Sequence, residues 1–164
     1  MALYTLVHVV ISLIGIITGL VVLGGLLSNK RLDGWTGLFL LTTIVTNLTG
    51  YGFPVDRVLP SHIVGAISLV ALAIALLARY RHHLAGGWRR TYVITAVMSL
   101  YLNVFVLIVQ TFGKVPALRE LAPTQSEPPF AISQLIVLLM FLVLGRSAVV
   151  SFRGPSAPAA QQFL

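Results

Sequence analysis

The chain contains no cysteine. That excludes disulfides, thiolate metal centres, iron–sulfur clusters and haem attached covalently through a Cys-x-x-Cys-His motif. Charge is nearly as scarce: 9% of the 164 residues carry it, against about a quarter in soluble domains, while 57% are hydrophobic. Only four residues are acidic, Asp33, Asp56, Glu120 and Glu127, and all fall between the long hydrophobic runs. A carboxylate pair for hydrolytic acid–base work is therefore missing. So are the Gly-x-Ser-x-Gly, His-Glu-x-x-His, P-loop and dinucleotide fingerprints. Proline is absent from every long apolar run; all eight lie outside, as helix breakers should.

What is present is length of apolar sequence. Uncharged runs occupy residues 3–27, 35–51, 62–78, 92–112 and 130–145, and a membrane-crossing helix needs roughly 20 mainly apolar residues, range about 17–25. The expectation is an all-α integral membrane bundle of five transmembrane helices, at about 3–27, 35–52, 61–79, 91–113 and 130–150. These form one domain, 1–152, and the Pro-, Ala- and Gln-rich 153–164 tail is expected to be disordered. Barrel strands would be shorter and alternate in polarity. No Lys or Arg precedes the first run, so it reads as a retained span and not a cleaved signal.

The net charge of +7 is explained by topology without nucleic acid. Lys30, Arg31, Arg79, Arg81, Arg89, Arg90, Arg146 and Arg153 fall on one side of the threaded runs, and Arg57, Lys114 and Arg119 on the other. The positive-inside rule then puts the N-terminus outside and the C-terminus in the cytoplasm. The 79–90 connection reads as a basic cytoplasmic loop that also attracts anionic lipid headgroups. The longest connection, 114–129, is external and Pro-rich, with a helical turn expected at 117–121; it is the candidate contact for a membrane-protein partner.

Threading also sorts the buried polar residues. His8, Asn47, His62, Asn103, Gln110 and Gln134 all map to the outer half, and the inner halves hold only Thr, Ser and Tyr among polar types. On helix one, His8, Ser12, Gly15 and Gly19 follow helical spacing, and Ser99, Asn103, Val106 and Gln110 form a stripe climbing helix four toward Lys114. Ionisable residues inside spans usually mark ligand or proton sites. His8 and His62, at matched depth, are thus expected to face one another.

Several readings stay open. The histidines are suited to axial ligation of one haem b between helices one and three, with Gly15, Gly65 and Ala66 making room and Arg57 or Lys114 near the propionates. An imidazole and an amide equally suit a quinone or other amphipathic small molecule. A divalent metal on both histidines lacks a carboxylate ligand nearby. The bland reading is interhelical hydrogen bonding, in an accessory or assembly subunit of a membrane complex. A continuous solute or proton pathway is weakened because nothing ionisable continues inward from the cluster. His82 and His83 read as solvated loop residues, and isolated Met98 and Met140 do not suggest copper handling.

The stretches Trp88-Arg89-Arg90-Thr91-Tyr92, Tyr101-Leu102-Asn103-Val104-Phe105-Val106 and Gln110-Thr111-Phe112-Gly113-Lys114-Val115-Pro116-Ala117-Leu118 carry a resemblance, as do His8 and Thr46-Asn47-Leu48-Thr49-Gly50. Across most of residues 5–152 the chain resembles a functionally uncharacterised group of small bacterial multi-span inner-membrane proteins. The resemblance implies a multi-pass protein of the bacterial cytoplasmic membrane and supplies no activity.

Overall fold

The computed structural model describes residues 2–54 and 60–153. Asp56, Arg57 and the 154–164 tail, expected to be disordered, lie outside the described residues. The described chain is all helical: α1 (Ala2–Leu27), α2 (Asp33–Gly50), α3 (Pro60–Leu76), α4 (Trp88–Lys114), α5 (Pro116–Leu121) and α6 (Pro128–Ser151). α3 runs on without a break into a π-helical turn, Leu77–Arg81. Four segments, α1, α3 with its π turn, α4 and α6, are long and apolar enough to cross a membrane. α2 is not among them, because its 18 residues include Asp33, Asn47 and five threonines.

Local chemistry sets the boundaries. Proline, whose missing N–H costs nothing in a first turn, opens α3, α5 and α6. α1 ends where Asn29 takes the left-handed conformation (φ 53°) and the Lys30 amide donates back to the Gly25 carbonyl at 2.7 Å. The expected loop from Arg79 is corrected: the chain stays helical to Arg81, and Arg79 is buried. The wider π turn re-aims Arg79 at Asp33, the first residue of α2, and over the Tyr92 ring at 5.4 Å. Only the short His82–Gly87 stretch connects to α4. There Leu84 sits left-handed (φ 60°) yet buried, its amide donating to the Ala78 carbonyl at 3.0 Å.

α1 and α2 pack as an antiparallel hairpin, α2 packs on α3, α3 on α4, and α4 back on α1, closing a four-helix ring. α6 lies outside it, against α4 and α1, and buries only Phe141 and Ala148. Gly19 lets α1 approach closely: a Cβ there would stand 2.5 Å from Leu100 Cδ1 and 2.9 Å from the Phe39 ring. The core gathers Leu23, Phe39, Leu72, Tyr92, Val93 and Leu100, whereas Leu6, Ile17, Leu41, Ile63, Ile94, Ile136 and Val143 are exposed. Apolar surface of that extent requires an apolar solvent or partner.

The two ends of the ring differ. The basic end carries Lys30, Arg31, Arg79 and Arg89, tied together by bonds from the Arg89 guanidinium to the Val149 carbonyl and from the Arg153 amide to Asn29 Oδ1. The histidine end carries His8, His62, the C-terminus of α2 and the 114–127 segment.

Candidate functional site

Four helices meet at Thr43. Asn103 Nδ2 donates to its hydroxyl at 3.3 Å, and Asn47 Nδ2 donates to its carbonyl at 2.8 Å and to Ser68 Oγ at 3.1 Å. Gly15 of α1 faces the same point, since a Cβ on it would lie 3.4 Å from Thr43 Oγ1 and 3.6 Å from Asn103 Nδ2. These amides are thus engaged within the protein. Each such bond contributes about 0.6 kcal/mol in a membrane, but an unmade one costs more, so the network fixes how α2, α3 and α4 are rotated about their axes. Gln134, on α6, donates to the Phe105 carbonyl at 3.3 Å and belongs to the α4–α6 contact; its Oε1 is buried without a partner, as is Thr46 Oγ1.

His8 and His62 both lie at the end of α2, as their matched depth implied, but they do not face one another. Thr49 and Tyr51, two residues apart, point about 200° apart around α2. His8 pairs with Thr49 (Nδ1 to Oγ1, 2.8 Å) and meets Phe53 edge-on at 5.1 Å. His62 stacks on Tyr51 at 5.3 Å, and its carbonyl accepts the Tyr51 hydroxyl at 2.7 Å. α2 therefore stands between the imidazoles, and the expected axial pair for one haem b between α1 and α3 is not assembled. Among the described residues no group of three or more His, Asp or Glu gathers to hold a metal ion. His82 stacks flat on Trp88 at 3.8 Å, and His83 is exposed.

The protonation of His8 follows from its neighbour. The Thr49 hydroxyl has one proton, and its oxygen lies 2.7 Å from the Val45 carbonyl, a separation that needs that proton between them. The imidazole must then be the donor to Thr49, through Nδ1–H, and neutral His8 keeps an unprotonated Nε2 with no hydrogen-bond partner among the described residues. Tyr4 braces the arrangement by donating to the Thr49 carbonyl at 2.6 Å and packing on Phe53. A second partner that fixes the tautomer is how proteins present one imidazole nitrogen as acceptor or ligand.

Comparison with protein-family models, curated proteins and solved structures returns no match. The site therefore rests on its own geometry. Seven residues, about two turns or 10 Å, separate Asn103 from Gln110 on one face of α4, and the same interval separates Gly15 from His8 on α1. Asn103 and Gly15 are buried, but Gln110 is exposed and His8 half-buried. One level nearer the helix ends the side chains are less covered than around Thr43. Gln110 bonds to none of the deeper amides, and the expected six residues divide: Asn47 and Asn103 belong to the closed network, Gln134 to the α4–α6 contact, and His8 and Gln110 to the less covered level nearer the helix ends. The sequence places Thr43, Thr46, Asn47 and Gly50 on one face of the second run, which is the signal for Thr43; Thr49 and Tyr51, the partners of the two histidines, were missed.

Proposed function

We propose that this is a five-span protein of the bacterial inner membrane, N-terminus outside, whose histidine end opens to the periplasm and holds the oxygenated ring of a quinone-class molecule. α2 is the fifth span in this reading: it stands between α1 and α3, and its polar side chains bond inside the protein, so its lower apolarity does not reach lipid. The basic end then lies in the cytoplasm by the positive-inside rule. The observation that carries the ligand reading is the Nε2 of His8, oriented by Thr49 and without a hydrogen-bond partner among the described residues, with exposed Gln110 at matching height on α4. A neutral acceptor nitrogen suits the hydroxyl of a reduced ring, Gln110 suits a carbonyl or hydroxyl opposite, and an isoprenoid tail fits the exposed Leu and Val of α1. The role is binding: no acid–base pair accompanies His8.

Solvent extraction of detergent-purified protein, with mass spectrometric detection of quinones, tests this. Wild-type protein is expected to retain quinone, and His8→Gln to retain roughly five- to tenfold less, the worth of one hydrogen bond. Wild-type protein that carries no quinone, and is not stabilised by added decyl-benzoquinol, would overturn the reading.

A second reading, an accessory subunit, is favoured by the closed network at Thr43 and by α5, which buries none of its side chains and presents Arg119 and Glu120 beside Lys114 along an open groove. In that case His8→Gln leaves the host process intact, and deletion of 117–121 abolishes copurification of the partner.

A further inference from the structure

At the histidine end the chain leaves α4 through the extended Val115, and Pro116 opens α5 with a fixed backbone. Pro116, Arg119 and Glu120 stand at i, i+3 and i+4 and so share one face, which Pro123 continues just past the helix end. With Lys114, the last residue of α4, they border an open groove of about 340 Å³, within the roughly 300–1,000 Å³ of small-molecule sites. The groove is held from beneath: Ala122 is buried, and Gln125 Nε2 donates to the Val109 carbonyl at 2.8 Å. Two cations and one carboxylate line it, and none of the three forms an ion pair or a side-chain hydrogen bond among the described residues. Arg119 and Glu120 are successive residues, which a helix splays about 100° apart, so they do not close on each other. Glu127, the neighbouring carboxylate, is taken up by the Thr124 hydroxyl and the Ser126 amide, which leaves Glu120 as the acceptor at the groove.

We infer that this groove holds the headgroup of phosphatidylethanolamine, a lipid whose own charges mirror its three. The phosphodiester has two free oxygens, one for Lys114 and one for Arg119, and the primary ammonium two carbons away donates to Glu120. A purely anionic headgroup leaves Glu120 facing like charge, and a quaternary choline has no N–H to give it. Lys114 ends one candidate span and Pro128 opens the next, so the groove lies at headgroup depth in the membrane placement proposed above, on which this inference rests. The exposed Val115 and Leu121 of the same segment, apolar beside cationic, suit that depth. The site makes no use of His8.

The test uses the full chain, purified and delipidated in neutral detergent, with melting temperature followed during titration with the dihexanoyl forms of phosphatidylethanolamine, phosphatidylcholine and phosphatidylglycerol. Phosphatidylethanolamine is expected to bind about threefold more tightly than either of the others, the worth of one exposed charge pair. Glu120→Gln, at an exposed position that does not threaten folding, should bring it level with phosphatidylcholine and leave phosphatidylglycerol no weaker. Arg119→Gln should weaken all three alike, and Arg146→Gln, toward the far end of α6, should change none of them. The inference fails if the wild-type protein shows no preference for phosphatidylethanolamine, as a groove reserved for a partner protein would not, if Glu120→Gln keeps the preference, or if Arg146→Gln weakens binding as much as Arg119→Gln. Membrane placement is scored separately, by retention in liposomes through an alkaline carbonate wash, so absence of headgroup preference in a protein that stays with the liposomes overturns this inference alone.

Discussion

Gly19 and Gly24 lie on one helix, five residues apart, and the same substitution at both separates packing from every other effect. A methyl on Gly24 meets nothing within 4 Å, whereas one on Gly19 would stand 2.5 Å from Leu100 Cδ1 and 2.9 Å from Phe39 Cδ2 and Cε2. Replacing glycine by alanine in a helix stabilises by about 0.5–1 kcal/mol wherever the methyl is free, and that gain is common to both sites. Overpacking costs about 1–3 kcal/mol and applies to Gly19 alone. The tip of Leu100 can swing aside, but the Phe39 ring is fully buried and has little room to yield. Gly24→Ala should therefore be more stable than Gly19→Ala by about 1–3 kcal/mol, with the shared term cancelling. Unfolding by sodium dodecyl sulfate in mixed micelles, followed by the fluorescence of Trp35 and Trp88, measures the gap. Adding Phe39→Leu to Gly19→Ala should recover part of the loss, since the two sites share the contact. Equal stability of the two alanine variants would refute the close approach of α1 to α2 and α4 at this level, and with it the placement of Gly15 against Thr43.

Thr49→Val keeps His8 but removes the acceptor that fixes its tautomer; quinone retention should fall nearly as far as in His8→Gln, while Thr49→Ser retains it, and nitrogen NMR of labelled His8 should lose its Nδ1–H signature in the valine variant alone. Asp33→Asn leaves Arg79 buried against a neutral amide and should destabilise by about 1–3 kcal/mol, discounted from the cost of a fully buried pair because Asp33 is largely exposed; Asp33→Asn with Arg79→Met should be more stable than Asp33→Asn alone in the same micelle assay. Asn47→Leu should cost about 0.6–1.7 kcal/mol, the range for interhelical bonds in membranes, by the same measurement. Glu127 precedes α6 outside the spans: desolvation raises its pKa, but hydrogen bonds from the Thr124 hydroxyl, the Thr124 amide and the Ser126 amide outweigh this and hold the carboxyl below its ordinary 4.5. Because the folded value is the lower one, the stabilisation is complete above pH 4.5 and fades as pH drops through the folded value. Hydrogen exchange of the 122–127 segment should therefore accelerate on acidification below that point, and Glu127→Gln should remove the pH dependence.

The helices were legible because their cues are local. Apolar runs free of charge and proline placed each long helix to within about three residues, and the expected turn at 117–121 lies within α5. Arg79 was misread for the opposite reason. Its place in a basic cluster suggested a solvated loop, although Leu72, Ala75 and Arg79 follow the spacing of a buried face. A π turn has no recognisable sequence signature, and its inward aim depends on Asp33, 46 residues away. The six polar residues could be named one by one; which of them meet was not legible, because rotation of α2 places Thr49 and Tyr51 on opposite sides.

Composition and periodicity alone determined an all-helical chain with too little charge and too much continuous apolar sequence for water, its cations gathered toward one end. Those properties belong to each segment separately, and summing along the chain suffices. Tertiary structure decided that His8 and His62 are separated by α2, that Asn47 and Asn103 are used up in holding helices together, that Gln110 stays outside that network, and that Arg79 turns inward. Each depends on the angle at which one helix meets another, set by contacts such as Gly19 on Phe39 between residues far apart in sequence. No periodicity within a single run encodes that angle.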